Sequence, residues 1–153
     1  MEVVRVTRRR GNRLGGLLLN AATAILLTFA CIQGAAAEPG PHAVTDLSRK
    51  LMQIYNDRDV AALHGLLAPA LKAKYAPQTL EAVLGRCHAL TGRIGRLSLP
   101  SYGQRHYGFF AVYAEAAIFE MILEIDPDER VFHWVITDDV TAKDQTCQID
   151  RHP

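Results

Sequence analysis

The chain of 153 residues contains none of the short motifs that would identify an enzyme. Its serines do not lie in a G-x-S-x-G turn, and it has neither a phosphate-binding glycine loop nor a dinucleotide-binding glycine pattern. Its histidines are at least 18 residues apart, so no closely spaced pair resembles a metal site. Hydrolase, kinase and dehydrogenase functions therefore lose their usual support, and we expect neither a metal nor a cofactor. The six histidines are His42, His64, His88, His106, His133 and His152.

Acidic and aromatic residues are scarce in the first 37 positions, where arginines precede an uncharged, mostly apolar stretch at 14–32. Because no aromatic side chains are interleaved with the arginines, we do not expect nucleic-acid binding. The pattern instead predicts a signal peptide over residues 1–37, cleaved after Ala37, and a protein exported to the periplasm or the cell exterior. The alternative is a retained membrane anchor, since 14–32 approaches the roughly 20 residues that span a bilayer. The arginines are Arg5, Arg8, Arg9, Arg10 and Arg13.

Cysteine is rare, with three residues in the whole chain. Removal of the predicted signal peptide leaves 116 residues, which suit a single domain over 38–153. Cys31 is removed with the signal peptide, so the domain keeps one pair of cysteines, Cys87 and Cys147. An oxidising compartment permits that pair to join, and we predict a disulfide. The alternative is that Cys87 is a buried small hydrophobic residue and Cys147 a surface thiol. Cleavage also leaves a formal charge of −3.

The first half of this domain has helical periodicity. Apolar residues at helical spacing predict a helix over 43–56, and Asp57 then serves as the N-cap of a short second helix that Pro69 ends. A connector over 72–75 leads to a third helix, in which Pro77 occupies the first turn and Gly92 follows the last.

From Arg93 onward the period falls to two, which predicts an antiparallel sheet of about four strands. The first strand contains Ile94, Leu97 and Leu99, and a polar segment separates it from the second. A bend or bulge is expected near Ala116, where alanines and a glutamate would suit a helix. The other three predicted strands are 109–115, 116–126 and 131–137. A turn at 126–129 joins the last two strands, and an irregular tail follows from about 138.

Three helices followed by a curved sheet give an α+β fold that resembles the NTF2-like (cystatin-like) superfamily, in particular its small secreted domains of unknown function. The resemblance rests on the helix end at 90–92, the alternating strand at 119–126 and the hairpin into 131–134. It implies a cone-shaped cavity between the helices and the concave face of the sheet. It also implies dimerisation through the outer face of the sheet, so we expect a homodimer.

Enzymatic members of that superfamily place an acid, a tyrosine or a histidine inside the cone. The matching catalytic candidates here are His133, Glu115 and Tyr113, with Tyr102 and His106 in the preceding loop. Strand alternation puts Tyr113 and Glu115 on one face, and Val131, His133 and Val135 on one face of the next strand, but it does not relate the two strands. The residues expected to line an apolar pocket are Tyr113, Phe119, Met121, Leu123 and Trp134.

Each candidate also has a structural interpretation. Trp134 is most simply a core or dimer-interface aromatic, and a lone strand histidine such as His133 is usually structural or exposed. Arg86, Arg93 and Arg96 would flank an anionic ligand or form a solvated helix end and strand start.

We therefore expect a non-catalytic domain that binds a small apolar ligand or a partner protein. The alternative is a small isomerase or hydrolase-like enzyme that uses an acid or base in the cone. The direction of Glu115 and His133, into the cone or into solvent, separates the two hypotheses.

Overall fold

The computed structural model describes residues 38–142 and 145–150, so the predicted signal peptide and its Cys31 lie outside the described residues. Within those ranges the fold is α+β, with four helices followed by an antiparallel sheet of six strands. The helices are α1 (Ala43–Asp57), α2 (Val60–Leu66), α3 (Pro69–Lys74) and α4 (Pro77–Thr91). The strands are β1 (Ile94–Leu97), β2 (Tyr102–Gln104), β3 (Tyr107–Ala114), β4 (Ile118–Ile125), β5 (Val131–Thr137) and β6 (Cys147–Ile149).

Helix α1 is amphipathic, as its spacing predicts, and buries the face that carries Leu47, Leu51 and Tyr55. It ends where Arg58 adopts a left-handed conformation, with φ of 53°, and its N–H bonds to the carbonyls of the last turn. The prediction that Asp57 caps α2 was wrong, because Asp57 is still the last residue of α1. The cap is Asp59, whose carboxylate accepts a hydrogen bond from the N–H of Ala62 at 2.9 Å.

Pro69 was predicted to end the helical region. It instead begins an additional short helix, α3. A proline is tolerated at the first helical position because its missing N–H would have no partner there. The break before α3 arises from Leu67, which is extended and forms a parallel bridge to Val131. The N–H of Ala68 then donates to the carbonyl of Val131 at 2.8 Å, and α3 buries Leu71 against the core.

The sheet has the order β1-β3-β4-β5-β6, and β2 pairs with β3 beside β1. Gly108 on β3 lies under α1, where a Cβ would stand 2.6 Å from both Val44 and the ring of Phe110, so the close approach requires glycine. Strand β1 ends at Leu97, two residues earlier than predicted, and leaves Leu99 80% exposed.

Strands β3 and β4 form a hairpin with a tight turn around Ala116, which confirms the predicted bend there. The N–H of Ala114 donates to the carbonyl of Ala117 across this turn at 3.1 Å. The next turn is organised by Asp126, whose carboxylate accepts hydrogen bonds from the N–H groups of Asp128 and Arg130. The alternating burial predicted for β4 and the return strand β5 are both present.

A β-bulge between β4 and β5 changes the face on which one predicted residue lies. His133 pairs with Glu124, whereas Val131 pairs with Ile125, so Phe132 is an extra residue on β5. Val131 therefore points into the core, where it is fully buried. The prediction that Val131 and His133 share a face was wrong for this reason.

The tail from 138 is not wholly irregular, because β6 pairs with β5 and closes one edge of the sheet. Cys147 in β6 forms the predicted disulfide with Cys87 in α4, across a sequence separation of 60, and both cysteines are fully buried. The bond holds the three-residue strand β6 against α4. A strand this short shows no periodicity in the sequence. None of the helices in the described ranges combines the length and the hydrophobicity needed to cross a membrane.

Candidate functional site

The inner face of the sheet, which the helices cover, is packed with apolar side chains. Phe119, Met121, Leu123 and Trp134 lie here and are between 0 and 5% exposed. They join residues of α1, α2 and α4 in one hydrophobic core. Tyr113, the fifth residue of the expected ligand pocket, is not in this core: it lies on the outward face of β3. The structure therefore divides the expected pocket residues between two faces of the sheet.

A group of polar and aromatic side chains crosses the core between α1 and α4. The hydroxyl of Tyr55 bonds to Thr91 Oγ1 at 2.6 Å, and the ring of His88 stacks on Tyr55 with centroids 4.3 Å apart. His88 Nε2 also donates to the Tyr55 carbonyl at 2.7 Å. Burial raises the pKa of Tyr55 above its usual 10.0, against smaller lowering effects of the Thr91 bond and of Arg58. These contacts orient α1 against α4.

Trp134 meets the edge of Tyr55, with ring centroids 6.0 Å apart. Its Nε1 is buried and has no hydrogen-bond partner. No other buried side-chain nitrogen or oxygen in the described part of the chain lacks a partner. Trp134 thus fills the core as an aromatic side chain.

Glu115 lies in the exposed turn after β3. Its Oε2 accepts a hydrogen bond from the backbone N–H of Arg93 at 3.0 Å. The same carboxylate stands against Gly92, whose φ is 68°, so a Cβ there would approach it to 2.6 Å. The observed role of Glu115 is to hold the junction between α4 and β1.

Tyr113 and His133 both lie on the outward face, each with a different neighbour. The guanidinium of Arg96 covers the ring of Tyr113, 3.3 Å from its centroid. His133 Nδ1 is 3.6 Å from Glu124 Oε1, and these side chains are 23% and 36% exposed, respectively. Neither candidate points into a closed cavity of the helix-covered side.

The three catalytic candidates do not converge on one site. Tyr113 pairs with Ile118 at one end of β4, whereas His133 pairs with Glu124 at the other. Six residues of extended strand separate these positions by about 20 Å. Glu115 lies farther still from His133, in the turn that follows β3.

The sheet register instead assembles a row that sequence analysis did not name. Tyr107, Glu124 and His133 are consecutive partners across β3, β4 and β5. Tyr107 and Glu124 also line a surface depression of about 450 Å³ together with His106. Alternation already placed Glu124 on the half-polar side of β4, but its neighbours depend on the register and on the bulge at Phe132, which the sequence does not specify.

The carboxylate of Glu124 lies beside the imidazole of His133, and their separation of 3.6 Å is longer than a hydrogen bond. The part of the chain that the structure describes contains no group of three or more His, Cys, Asp or Glu residues suited to a metal ion. Tyr102 pairs with Phe109 through the backbone of β2.

The outward face also carries apolar side chains beside these polar groups. Phe109 and Ile122 are partners at the centre of β3 and β4 and are half-buried, while Ile118 at the end of β4 is 65% exposed. None of the three belongs to the core that the described helices cover. Both charge signs are present, with Glu120 and Glu124 on β4 and Arg96 on β1.

Comparison with known proteins finds no matching family model, no similar curated protein and no similar solved structure.

Proposed function

We propose that this chain is an exported, non-catalytic binding domain of NTF2-like architecture that associates with a second copy of itself through the outward face of β3 and β4. The observation that carries the proposal is the set of apolar side chains on that face, Phe109, Ile118 and Ile122, outside the core of the described helices. Apolar surface of this kind is typical of protein interfaces.

Two features favour association over binding of a small apolar ligand. The inner face of the sheet is occupied by its own side chains, so the expected cone is filled by Leu123, Trp134 and their neighbours. The outward face combines Glu120 and Glu124 with Arg96, and a surface with both charge signs beside apolar groups can complement itself about a two-fold axis.

Export is supported by the buried disulfide between Cys87 and Cys147, a type of bond that persists in oxidising compartments. The proposed route is cleavage of the N-terminal segment after Ala37. Intact mass and N-terminal sequencing of secreted protein test it: we expect a chain that begins at Glu38. A secreted or membrane-bound product that retains residues 1–37 would contradict cleavage.

Sedimentation velocity over a wide concentration range tests the association. We expect a dimer in the original protein, and Ile122→Lys to shift it towards monomer by at least tenfold in the dissociation constant, because a buried ammonium would lie in the interface. Leu99→Lys is the matched control, since Leu99 is 80% exposed and lies outside β3 and β4. An original protein that stays monomeric throughout, or equal effects of the two substitutions, would refute this interface.

Glu115 and His133 lie outside the helix-covered side, so the predicted enzyme with an acid or base inside the cone loses these residues. A second candidate function rests instead on the outward Glu124–His133 pair beside the depression that Tyr107 lines. The imidazole would act as a general base in a small hydrolase-like or isomerase reaction, with the carboxylate of Glu124 beside it. A panel of activated aryl esters tests the hydrolytic form. We expect His133→Gln to lower turnover at least tenfold while His64→Gln leaves it unchanged; equal rates in all three proteins would exclude this role for His133.

A further inference from the structure

One edge of the sheet is open towards α1. Strand β1 is terminal in the sheet order and pairs with β3 alone. The N–H of Ser98 donates to the carbonyl of Ala111 at 2.9 Å, so the neighbouring pair, Leu97 and Val112, is a non-hydrogen-bonded pair of the antiparallel ladder. Leu97 consequently directs its backbone N–H and C=O away from β3, to the free edge.

The beginning of the same edge is closed by a side chain. Asn56, near the end of α1, accepts a hydrogen bond from the N–H of Ile94 at 2.9 Å and donates one to its carbonyl at 2.8 Å. The side-chain amide of Asn56 therefore forms hydrogen bonds with the N–H and C=O of Ile94 that would otherwise be available to another strand. Beyond this point no described strand or amide covers β1, and the available edge starts after Ile94.

A groove follows this edge between β1 and α1. Two depressions of about 500 Å³ each lie along it and share Met52 and Gly95 in their linings. One continues past Leu97 to the exposed Leu99, and the other reaches Arg93. An elongated groove beside free backbone groups suits an extended chain better than a compact small molecule.

The charges of the side chains that line the groove indicate which kind of extended peptide would bind there. Arg93, directly before β1, and Arg96 within it are exposed in the groove lining. Arg49 in the α1 wall forms an ion pair with Asp46. The one acid in the lining, Glu115, is engaged with the backbone N–H of Arg93. Cationic side chains therefore dominate, and they favour an acidic occupant.

We propose that an extended, acidic segment of a partner protein adds a strand to the free edge of β1. Its backbone pairs with Leu97, alternate apolar side chains contact Met52 and Leu99, and its carboxylates meet Arg93 and Arg96. This site differs from the proposed dimer face because it uses the edge of the sheet rather than the outward surface of β3 and β4. Arg96 borders both surfaces, whereas Arg93 belongs to the edge alone.

Fluorescence anisotropy of the full-length chain with a labelled octapeptide that alternates valine and glutamate tests the site. We expect saturable binding at least tenfold tighter than that of the same peptide with lysine in place of glutamate. The double variant Arg93→Glu, Arg96→Glu should reverse this preference. Arg86→Glu is the matched control, since Arg86 is an exposed arginine on α4 outside the groove, and it should retain the original affinity.

Backbone pairing has a separate readout. N-methylation of alternate residues of the glutamate peptide, on the edge that would face β1, should abolish binding, whereas methylation on the opposite edge should not. Equal loss in both methylated peptides, no saturable binding of the glutamate peptide, or equal weakening by Arg86→Glu would each overturn the proposal. A change in sedimentation of the single variant Arg93→Glu without peptide would assign the edge to a second copy of this chain and would overturn the peptide assignment, because Arg93 lies outside the proposed dimer face.

Discussion

The two faces of β4 differ in composition although they alternate residue by residue. Phe119, Met121 and Leu123 point inward and are almost completely buried, whereas Ile118, Ile122 and the two glutamates of the strand point outward and stay partly accessible. The inward face is uniformly apolar, and the outward face mixes apolar, acidic and aromatic neighbours. The difference indicates that the inner face stabilises the fold, and it leaves the outward face and the open edge of the sheet as the surfaces on which we propose binding.

The largest expected effect concerns the disulfide, which fastens the inward side of β6 to α4. Replacing Cys87 and Cys147 together by alanine should lower the free energy of unfolding by about 4 kcal/mol, the chain-entropy value for a loop of this length. Urea unfolding followed by circular dichroism measures the loss. A change below about 1 kcal/mol would mean that packing of β6 holds it in place without the bond.

The most direct test of the comparison uses two neighbours on β4. Leu123→Ala should cost about 3 kcal/mol, because it leaves a cavity in a fully buried site. Ile122→Ala, one residue away on the outward face, should cost below about 1 kcal/mol of monomer stability. Urea unfolding at low protein concentration compares them, and equal costs would show that the outward face is also covered.

A smaller effect is expected for the buried phenol. Tyr55→Phe removes the hydrogen bond to Thr91 and should cost about 1 kcal/mol at neutral pH. Burial raises the pKa of Tyr55 above 10.0, so the folded state holds this proton more tightly than the unfolded state does. The resulting stability is complete below about pH 10 and falls as the pH rises through the folded-state pKa.

Thermal unfolding between pH 8 and 11 measures that alkaline loss. Tyr55→Phe should reduce it, while Tyr113→Phe, on the outward face, should leave it unchanged. An identical alkaline profile in the original protein and the Tyr55 variant would contradict the assignment to Tyr55.

The smallest effect is expected for the outward Glu124–His133 pair. Because both side chains are partly exposed and 3.6 Å apart, Glu124→Gln should change stability by no more than about 0.5 kcal/mol. Urea unfolding at low and high salt measures it. A loss above about 2 kcal/mol would place the pair in a desolvated setting and weaken the distinction between the two faces.

Periodicity predicted much of the fold but little of the site. Helices α1 and α4 and the alternation of β4 follow from regular spacing of apolar residues, and the pairing of Cys87 with Cys147 follows from parity and compartment. Helix α3, β2 and β6 have too few residues to show a period. Their presence depends on long-range contacts such as the bridge of Leu67 to Val131 and the disulfide.

The site residues depend on register, which a single sequence specifies weakly. The extra residue Phe132 moves Val131 to the inner face, and this bulge leaves no periodic signal in a seven-residue strand. Glu124 acquires Tyr107 and His133 as neighbours only through pairing of three strands. The closure of Ile94 by Asn56 likewise joins residues 38 positions apart.

The disulfide also imposes an order of events on the folding chain. Five strands of the sheet lie between Cys87 and Cys147, and Cys147 reaches α4 through its pairing with Ile136 at the far side of that sheet. We therefore expect the two thiols to reach their native geometry after the intervening strands have assembled. If oxidation is the closing step of maturation, the time at which it occurs reports completion of the sheet.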